Sequence, residues 1–224
     1  MSFNIAIDGP AGAGKSTIAK LVAERLSFIY VDTGAMYRAM ALYFLNKKTD
    51  MQDAAQLAAD IGQADISIQY VDGEQVVLLN GENVNGRIRT EEVSNMASVV
   101  SAIPEVRSHL FQTQRALAQT KDVVMDGRDI GTTILPGAQV KIFLTASVQT
   151  RAQRRLLEMQ GRGETCDIEE IREDIRKRDQ RDMTREISPL RQAEDAILLD
   201  SSDLSIEQVV NRILDIYREK AGAK

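Results

Sequence analysis

A glycine-rich stretch near the start of the chain limits its possible folds more than any other feature of the sequence. It reads Gly9-Pro10-Ala11-Gly12-Ala13-Gly14-Lys15-Ser16-Thr17 and matches the pattern G-x-x-x-x-G-K-[ST] at every specified position. The run before it, residues 4–8, is short and apolar, which predicts a strand. The run after it, residues 18–26, has apolar side chains at helical spacing. A strand, a glycine-rich turn and a helix together predict a phosphate-binding loop.

The chemistry of this loop predicts a nucleoside triphosphate as its ligand. Glycines remove side chains from the concave wall, so that backbone N–H groups and the helix N-terminus face an anion. Lys15 adds a charge that can reach the β- and γ-phosphates, and the Ser16 hydroxyl is placed to ligate Mg²⁺ directly. The alternative is a glycine-rich connector that contains a lysine by chance. It does not explain why a strand precedes the stretch and a helix follows it. The loop alone does not say where the γ-phosphate goes.

Composition narrows the class of protein. A chain of 224 residues, 43% hydrophobic and 27% charged, fits one large α/β domain or a core with one insertion. The net charge of −5 argues against a general nucleic-acid binder. Cys166 and His109 are the sole residues of their types, which argues against a zinc site, an iron–sulfur site or a disulfide within the chain. No secretory leader or membrane-spanning run is evident, so we expect a cytoplasmic protein without membrane partners.

Further along the chain, apolar runs predict the remaining core strands at residues 28–31, 122–126, 140–144 and 196–200. Ligands of an open parallel sheet lie beyond the carboxyl ends of its strands. We therefore expect Asp32-Thr33, Asp126-Gly127-Arg128-Asp129 and the glycine-rich loop to converge on one crevice. Asp126 could ligate Mg²⁺ through water or simply cap a loop, and the sequence leaves both roles open.

Two segments depart from the strand-and-helix alternation. Residues 65–89 alternate in polarity around two turn signals, which predicts a small antiparallel sheet inserted in the core. A helix at residues 50–62 precedes this sheet, and helices at residues 90–101 and 104–119 follow it. Residues 151–185 are rich in charge and contain helices to about 160 and from about 167 to 181, interrupted by Gly161-Arg162-Gly163-Glu164. The fold prediction is a three-layer P-loop NTPase fold with a central parallel sheet, this insertion and a short helical lid.

Several enzyme classes share the loop, and the rest of the sequence separates them. A GTPase would need N-K-x-D, whereas Asn46-Lys47-Lys48-Thr49 lacks the aspartate. The chain is also short for a motor or AAA-type ATPase. A small phosphotransferase remains, with arginines that could neutralise the moving phosphoryl group. A nucleoside monophosphate acceptor needs no general base, because its phosphate is largely dianionic at pH 7. A hydroxyl acceptor would need a carboxylate such as Asp32 or Asp126 beside it.

Four motifs in this order are similar to those of bacterial cytidylate kinases, a family of P-loop nucleoside monophosphate kinases. They are Gly9 to Ser16, Asp32-Thr33-Gly34-Ala35-Met36-Tyr37-Arg38, Asp126-Gly127-Arg128-Asp129-Ile130-Gly131-Thr132, and Arg178-Asp179-Gln180-Arg181-Asp182-Met183-Thr184-Arg185. The inserted sheet and the closing Leu199-Asp200-Ser201-Ser202 also match, so the resemblance covers essentially the whole chain. It implies ATP- and Mg²⁺-dependent phosphorylation of CMP and dCMP by a monomer. It further implies a core at about 1–32, 120–150 and 186–224, a monophosphate-binding region at 33–119 and a lid at 151–185.

The resemblance also implies roles for individual residues. Transfer would depend on Lys15, Arg128, Arg178 and Arg185. The phosphate of CMP would be bound by Thr33, Arg38, Arg128 and Arg185, its base by Ser98, Arg107 and Asp129, and its sugar by Arg178 and Asp182. Cytosine suits this set, because its exocyclic amine can donate to a carboxylate such as Asp129, whereas uracil would present a carbonyl.

Taken singly, these residues have simpler interpretations. Arg107 could be a surface residue of its helix, Ser98 a structural serine, and Arg178 with Asp182 a solvated i,i+4 pair. Three alternatives to CMP phosphorylation stay open: a kinase for another monophosphate such as UMP, a kinase for a hydroxyl, and an ATP-binding regulatory module without transfer.

Overall fold

The computed structural model describes residues 2–161 and 163–222, and Arg162 of the predicted lid lies outside this range. The chain forms two compact units. Unit 1 contains the residues up to Tyr30 and those from Lys121 onward, and unit 2 contains Val31–Thr120. The chain thus leaves unit 1 once and returns to it once.

A five-stranded sheet with the order β2-β6-β1-β7-β8 organises unit 1. Its strands are β1 (Asn4–Asp8), β2 (Ile29–Asp32), β6 (Val123–Gly127), β7 (Val140–Thr145) and β8 (Ile197–Asp200). The helices of this unit are α1 (Lys15–Leu26), α6 (Val148–Gly161), α7 (Ile168–Thr184) and α8 (Ile206–Ala221). β1 pairs in parallel with both β6 and β7, and β7 pairs in parallel with β8.

The central strand β1 is buried on both faces, as parallel sheets covered on both sides require. Ile5 and Ile7 belong to the apolar cluster that also contains side chains of α1 and α8. Because side chains alternate along a strand, Ala6 and Asp8 point to the opposite face. Residues 130–134 form a π-helical turn that contacts β1.

Helices α6 and α7 pack on each other through a small separate cluster of apolar side chains. Ala152 and Met159 of α6 meet Ile171 and Ile175 of α7 in this cluster. The closing helix α8 begins with a capping box, in which the side chains of Ser205 and Gln208 each accept a hydrogen bond from the backbone N–H of the other residue.

Unit 2 packs helices with a three-stranded antiparallel sheet of order β3-β4-β5. Its elements are α2 (Thr33–Lys47), α3 (Ala54–Gln63), β3 (Ile66–Val71), β4 (Glu74–Leu79), β5 (Glu82–Asn83), α4 (Glu91–Val100) and α5 (Pro104–Thr120). Met36, Met40 and Phe44 of α2 are fully enclosed, together with Ile88 and Leu110. This unit therefore has an apolar core of its own.

The structure confirms the predicted fold class, a central parallel sheet with flanking helices and a small antiparallel sheet. Three local details differ. The helix expected from Asp50 begins at Ala54, because the Asp53 carboxylate caps the N–H groups of Ala55 and Gln56. The strand after the second turn, β5, is only two residues long, and the π-helical turn at residues 130–134 was not predicted.

Candidate functional site

The glycine-rich loop connects β1 to α1, as the sequence predicts. Its first glycine is required by contact: a Cβ added to Gly9 would lie 1.9 Å from the carbonyl oxygen of Leu144 in β7. Its last glycine is required by conformation, since Gly14 adopts a left-handed φ of 88° where α1 starts. Among the described side chains none caps the first turn of α1, so its N–H groups are available to an anion.

Lys15 is buried within this loop, with 6% of its surface exposed. Its ammonium group donates to the carbonyl oxygen of Pro10 at 2.8 Å. Burial, and next the positive charge of Arg128, lower the pKa of Lys15 to about 7. A bound polyphosphate would therefore relieve an unfavourable buried charge.

Ser16 and Asp126 place two hard oxygen ligands side by side. The Ser16 hydroxyl donates to Oδ2 of Asp126 at 3.1 Å, and the Tyr30 hydroxyl donates to Oδ1 at 2.9 Å. Mg²⁺ prefers oxygen ligands and is usually held by one or two protein groups together with substrate phosphates. The Ser16 hydroxyl and the Asp126 carboxylate are therefore suitable ligands for Mg²⁺. The described residues hold no cluster of three or more His, Cys, Asp or Glu side chains that could bind a metal alone.

The loop after β6 and the end of α7 bring four predicted site residues together in unit 1. Nε of Arg128 donates to Asp182 at 2.8 Å, and Nη2 of Arg185 lies 3.7 Å from Oδ1 of Asp129. Asp129 and Asp182 are both buried. Burial raises the pKa of Asp182, but the charge and hydrogen bond of Arg128, together with the charges of Arg178 and Arg185, hold the pKa below its usual value. Both arginines could bind an incoming phosphate without leaving a buried charge uncompensated.

Arg178 belongs to the same group. Its positive charge acts on both Lys15 and Asp182. The simple interpretation of Arg178 and Asp182 as a solvated pair is wrong for Asp182, which is 4% exposed and bonded to Arg128 from another element.

A second group of predicted residues lies in unit 2, at the start of α2. Thr33 is the first residue of this helix and is buried. Asp32 caps the helix by accepting from the N–H of Ala35 at 2.9 Å. Its Oδ2 also lies 3.5 Å from Nη1 of Arg38 and 3.3 Å from Nη2 of Arg89. Two guanidinium groups thus share one carboxylate oxygen, which leaves a local excess of positive charge.

The remaining predicted residues of unit 2 lie on α4 and α5. Arg107 is 8% exposed, donates to the carbonyl oxygen of Ser101 at 3.2 Å and lies 5.7 Å from the ring centre of Tyr37. Arg107 is therefore buried, and the simpler interpretation of it as a surface residue of its helix is wrong. Ser98 is half-buried, and its carbonyl oxygen accepts from the Ser101 hydroxyl.

The arginines of α6 have different partners from one another. Arg151 binds Asp179 and the carbonyl oxygens of Ala11 and Ala146. Arg154 donates to Ser201 and to the carbonyl oxygen of Ala13, whereas Arg155 binds Glu158. An acid therefore neutralises Arg151, which fastens the glycine-rich loop to α7.

Sequence reasoning missed two residues of these groups, Asp8 and Arg89, and it left the partner of Arg151 open. Asp8 accepts from the N–H groups of Ile130 and Gly131, each at 2.7 Å. A signal existed for Asp8, because an acidic residue ends an otherwise apolar strand. Arg89 and Arg151 stand among many other charged residues, and their partners could not be read from local spacing.

Two further features lie outside these groups. His109 is exposed on α5, with Nε2 2.8 Å from the carbonyl oxygen of Ala64, as a histidine on a helix surface. In the part of the chain that the structure describes, no helix is long and apolar enough to cross a bilayer.

Comparison with known structures supports the fold. A gluconokinase from Sinorhizobium meliloti 1021 superposes with a TM-score of 0.51 over 98% of this chain and 94% of its own, at 12% identity. A likeness at this identity concerns the arrangement of helices and strands alone.

Sequence comparison finds proteins that are far more similar to this chain. The family model described as cytidylate kinase matches residues 5–219. A cytidylate kinase of Caldicellulosiruptor bescii is 53% identical over 96% of this chain and 95% of its own length. One of Caldicellulosiruptor saccharolyticus is 50% identical over 98% and 97%. With its phosphate-binding loop and its arginine groups in place, the chain belongs to the cytidylate kinase family.

Proposed function

We propose that this protein transfers the γ-phosphoryl group of ATP to CMP and dCMP, yielding CDP and dCDP, in pyrimidine nucleotide metabolism. The observation that carries the proposal is the identity of about half of all residues with cytidylate kinases over nearly the full chain. The geometry of unit 1 supports it, because Arg128 lies close enough to Lys15 for its positive charge to lower the pKa of that amine. Phosphoryl transfer depends mainly on such positioned positive charge.

The donor side is the glycine-rich loop. Its N–H groups and Lys15 bind the polyphosphate of ATP, and residues Gly9 to Thr17 enclose it. Ser16 would hold Mg²⁺ directly and Asp126 through water; the ion supplies charge neutralisation of the donor phosphates. The 3.1 Å contact between these two side chains supports the assignment.

Membership of the cytidylate kinase family supports the acceptor roles that the resemblance implies. Thr33, Arg38, Arg128 and Arg185 bind the CMP phosphate, and Arg178 and Asp182 hold the sugar. Ser98, Arg107 and Asp129 read the base. Burial of Arg107 and Asp129 favours this role, because a buried charge that is left unpaired by the wrong base costs more than an exposed one.

Transfer itself needs no general base when the acceptor is a monophosphate dianion. Lys15, Arg128, Arg178 and Arg185 stabilise the charge that spreads over the moving group. Residues 151–185 act as a lid that excludes water, residues 33–119 as the monophosphate-binding region, and the remainder as core. We expect a cytoplasmic monomer without nucleic-acid or membrane partners.

Phosphorylation of a hydroxyl is less well supported. It would require a carboxylate base, and Asp32 is poorly suited to that task. Burial raises its pKa, but the charges of Arg38 and Arg89 outweigh burial and hold the pKa of Asp32 below its usual value. A base of low pKa withdraws protons weakly near pH 7.

An assay of ADP release tests the proposal. Purified protein with ATP and Mg²⁺ is offered CMP, dCMP, UMP, AMP and GMP in turn, and kcat/KM is compared. We expect CMP and dCMP to lead the series. A higher value for AMP or GMP would overturn the substrate, and ATP binding without transfer to any acceptor would favour a regulatory module.

A further inference from the structure

Asp8, at the end of β1, is a buried carboxylate to which the proposed function gives no task. It is 5% exposed and lies on the face of the sheet opposite to Ile5 and Ile7. Its Oδ1 accepts from the N–H of Ile130 and its Oδ2 from the N–H of Gly131, each at 2.7 Å. Both carboxylate oxygens therefore hold the backbone of the turn that follows β6.

The same residue also holds the other end of this loop. In the register of β1 with β6, the backbone of Asp8 stands opposite Gly127. Arg128 and Asp129 are the two residues between these attachments. Asp8 thus fixes the chain immediately before and immediately after the pair to which phosphate binding and base reading are assigned.

The fit around the carboxylate is close. A Cβ added to Gly131 would lie 3.3 Å from Oδ2 of Asp8 and 3.2 Å from Cδ of Lys141. Burial raises the pKa of Asp8 to about 6, so at pH 8 the group is ionised and can accept both hydrogen bonds. The loop therefore has little room to shift while Asp8 is intact.

We propose that Asp8 is a positioning residue for monophosphate selection, which acts by fixing the loop that carries Arg128 and Asp129. The inference rests on the proposed roles of those two residues. The last residue of the strand that precedes the glycine-rich loop would thus influence the acceptor indirectly, through the position of this loop.

The test replaces Asp8 by asparagine, which keeps the size but places an NH₂ donor against one of the two N–H donors. At pH 8 we expect Asp8→Asn to raise KM for CMP about tenfold and to lower the CMP/UMP ratio of kcat/KM about tenfold, since small misplacements of binding groups have effects of this order. KM for ATP should stay within about twofold, because the hydrogen bonds of β1 and the loop N–H groups remain.

Asp122→Asn is the matched control. Asp122 lies at the opposite end of the same strand pair, and its Oδ1 accepts from the N–H of Phe3 at 2.7 Å. Asp122→Asn also removes a carboxylate that accepts from a backbone N–H, but it does not alter the loop that carries Arg128 and Asp129. Its CMP/UMP ratio of kcat/KM should therefore equal that of the wild type. The CMP/UMP ratio of kcat/KM is independent of the fraction of enzyme that is folded, so a difference in stability between the variants does not affect the comparison. An unchanged ratio and an unchanged KM for CMP in Asp8→Asn would overturn the inference.

Asp129→Asn separates this inference from the proposed function. Loss of cytosine selection in Asp129→Asn but not in Asp8→Asn would refute the positioning role alone. A wild-type enzyme without preference for CMP would refute the proposed substrate. In that case KM of the Asp8→Asn variant would be measured for the monophosphate that is phosphorylated best. If KM changes no more in Asp8→Asn than in Asp122→Asn, the positioning role of Asp8 is refuted.

Discussion

Arg151 and Asp179 are joined by two parallel hydrogen bonds, Nη1 to Oδ1 at 3.0 Å and Nη2 to Oδ2 at 2.6 Å. Nε of Arg151 donates to the carbonyl oxygen of Ala146, and Nη1 also donates to that of Ala11. The side chain of Arg151 is 4% exposed. This buried pair connects α6, α7 and the glycine-rich loop, and its charges are compensated before any nucleotide binds.

Removing one partner of this pair should cost stability. We expect Asp179→Ala to lower the free energy of unfolding by about 3 kcal/mol or more, because Arg151 is left buried and uncompensated. For a chain of this size the melting temperature would fall by roughly 6 °C or more. The matched control is Asp215→Ala, which breaks the exposed pair with Arg218 and should shift Tm by at most about 2 °C. Equal shifts in calorimetry would show that the Arg151 pair contributes little.

Lys15→Ala should abolish transfer while the fold persists. Removing a charge aimed at the moving phosphoryl group typically lowers kcat by about 10²–10³-fold or more. The fold should persist because burial disfavours the charged amine, as its lowered pKa shows. The ADP-release assay measures the first effect and thermal unfolding the second. Turnover near the wild-type level in a well-folded variant would contradict the assigned role.

Nucleotide binding should take up a proton at about pH 8. Burial and Arg128 lower the pKa of Lys15 to about 7, so the amine is mostly neutral in the unliganded protein at that pH. Phosphate charge raises the pKa again, and Lys15 then binds a proton. Calorimetric titration in two buffers of different ionisation enthalpy measures the uptake. Lys15→Ala should show less of it, and an identical uptake in that variant would assign the proton to another group.

Gly9→Ala should disrupt the loop, because the new Cβ would lie 1.9 Å from the carbonyl oxygen of Leu144. Strand β1 or β7 has to move, so we expect loss of ATP binding and a lower melting temperature. Gly137→Ala provides the matched control, since a Cβ at that position meets no described atom within 4 Å. Fluorescent ATP-analogue titration compares the two variants, and normal affinity in Gly9→Ala would argue against a rigid loop.

Features determined by neighbouring residues were predictable from the sequence. The glycine-rich loop joins β1 and α1 as its pattern requires, and Asp32 caps α2. The inserted hairpins also follow from local chemistry. Asp72 and Gly73 both adopt positive φ, as their turn needs, so β4 begins directly afterwards at Glu74.

Features determined by distant partners were not predictable. The π-helical turn at residues 130–134 is held by Asp8, which is more than 120 residues earlier in the chain. Asp182 bonds Arg128, 54 residues away, although an arginine stands four residues before it on the same helix. Local spacing cannot reveal which of several nearby charges a buried carboxylate will select.

The position of β1 at the centre of the sheet has a consequence for synthesis on the ribosome. Asn4 and Ile5 pair with Val123, Val124 and Val140, so the first strand has no sheet neighbour until more than half of the chain has been made. At about 5–20 residues per second this delay lasts on the order of ten seconds. Unit 2 is continuous in sequence and can form its core meanwhile. The segment proposed to bind ATP is thus translated well before both strands that flank it in the sheet, and it is among the last to acquire its final environment.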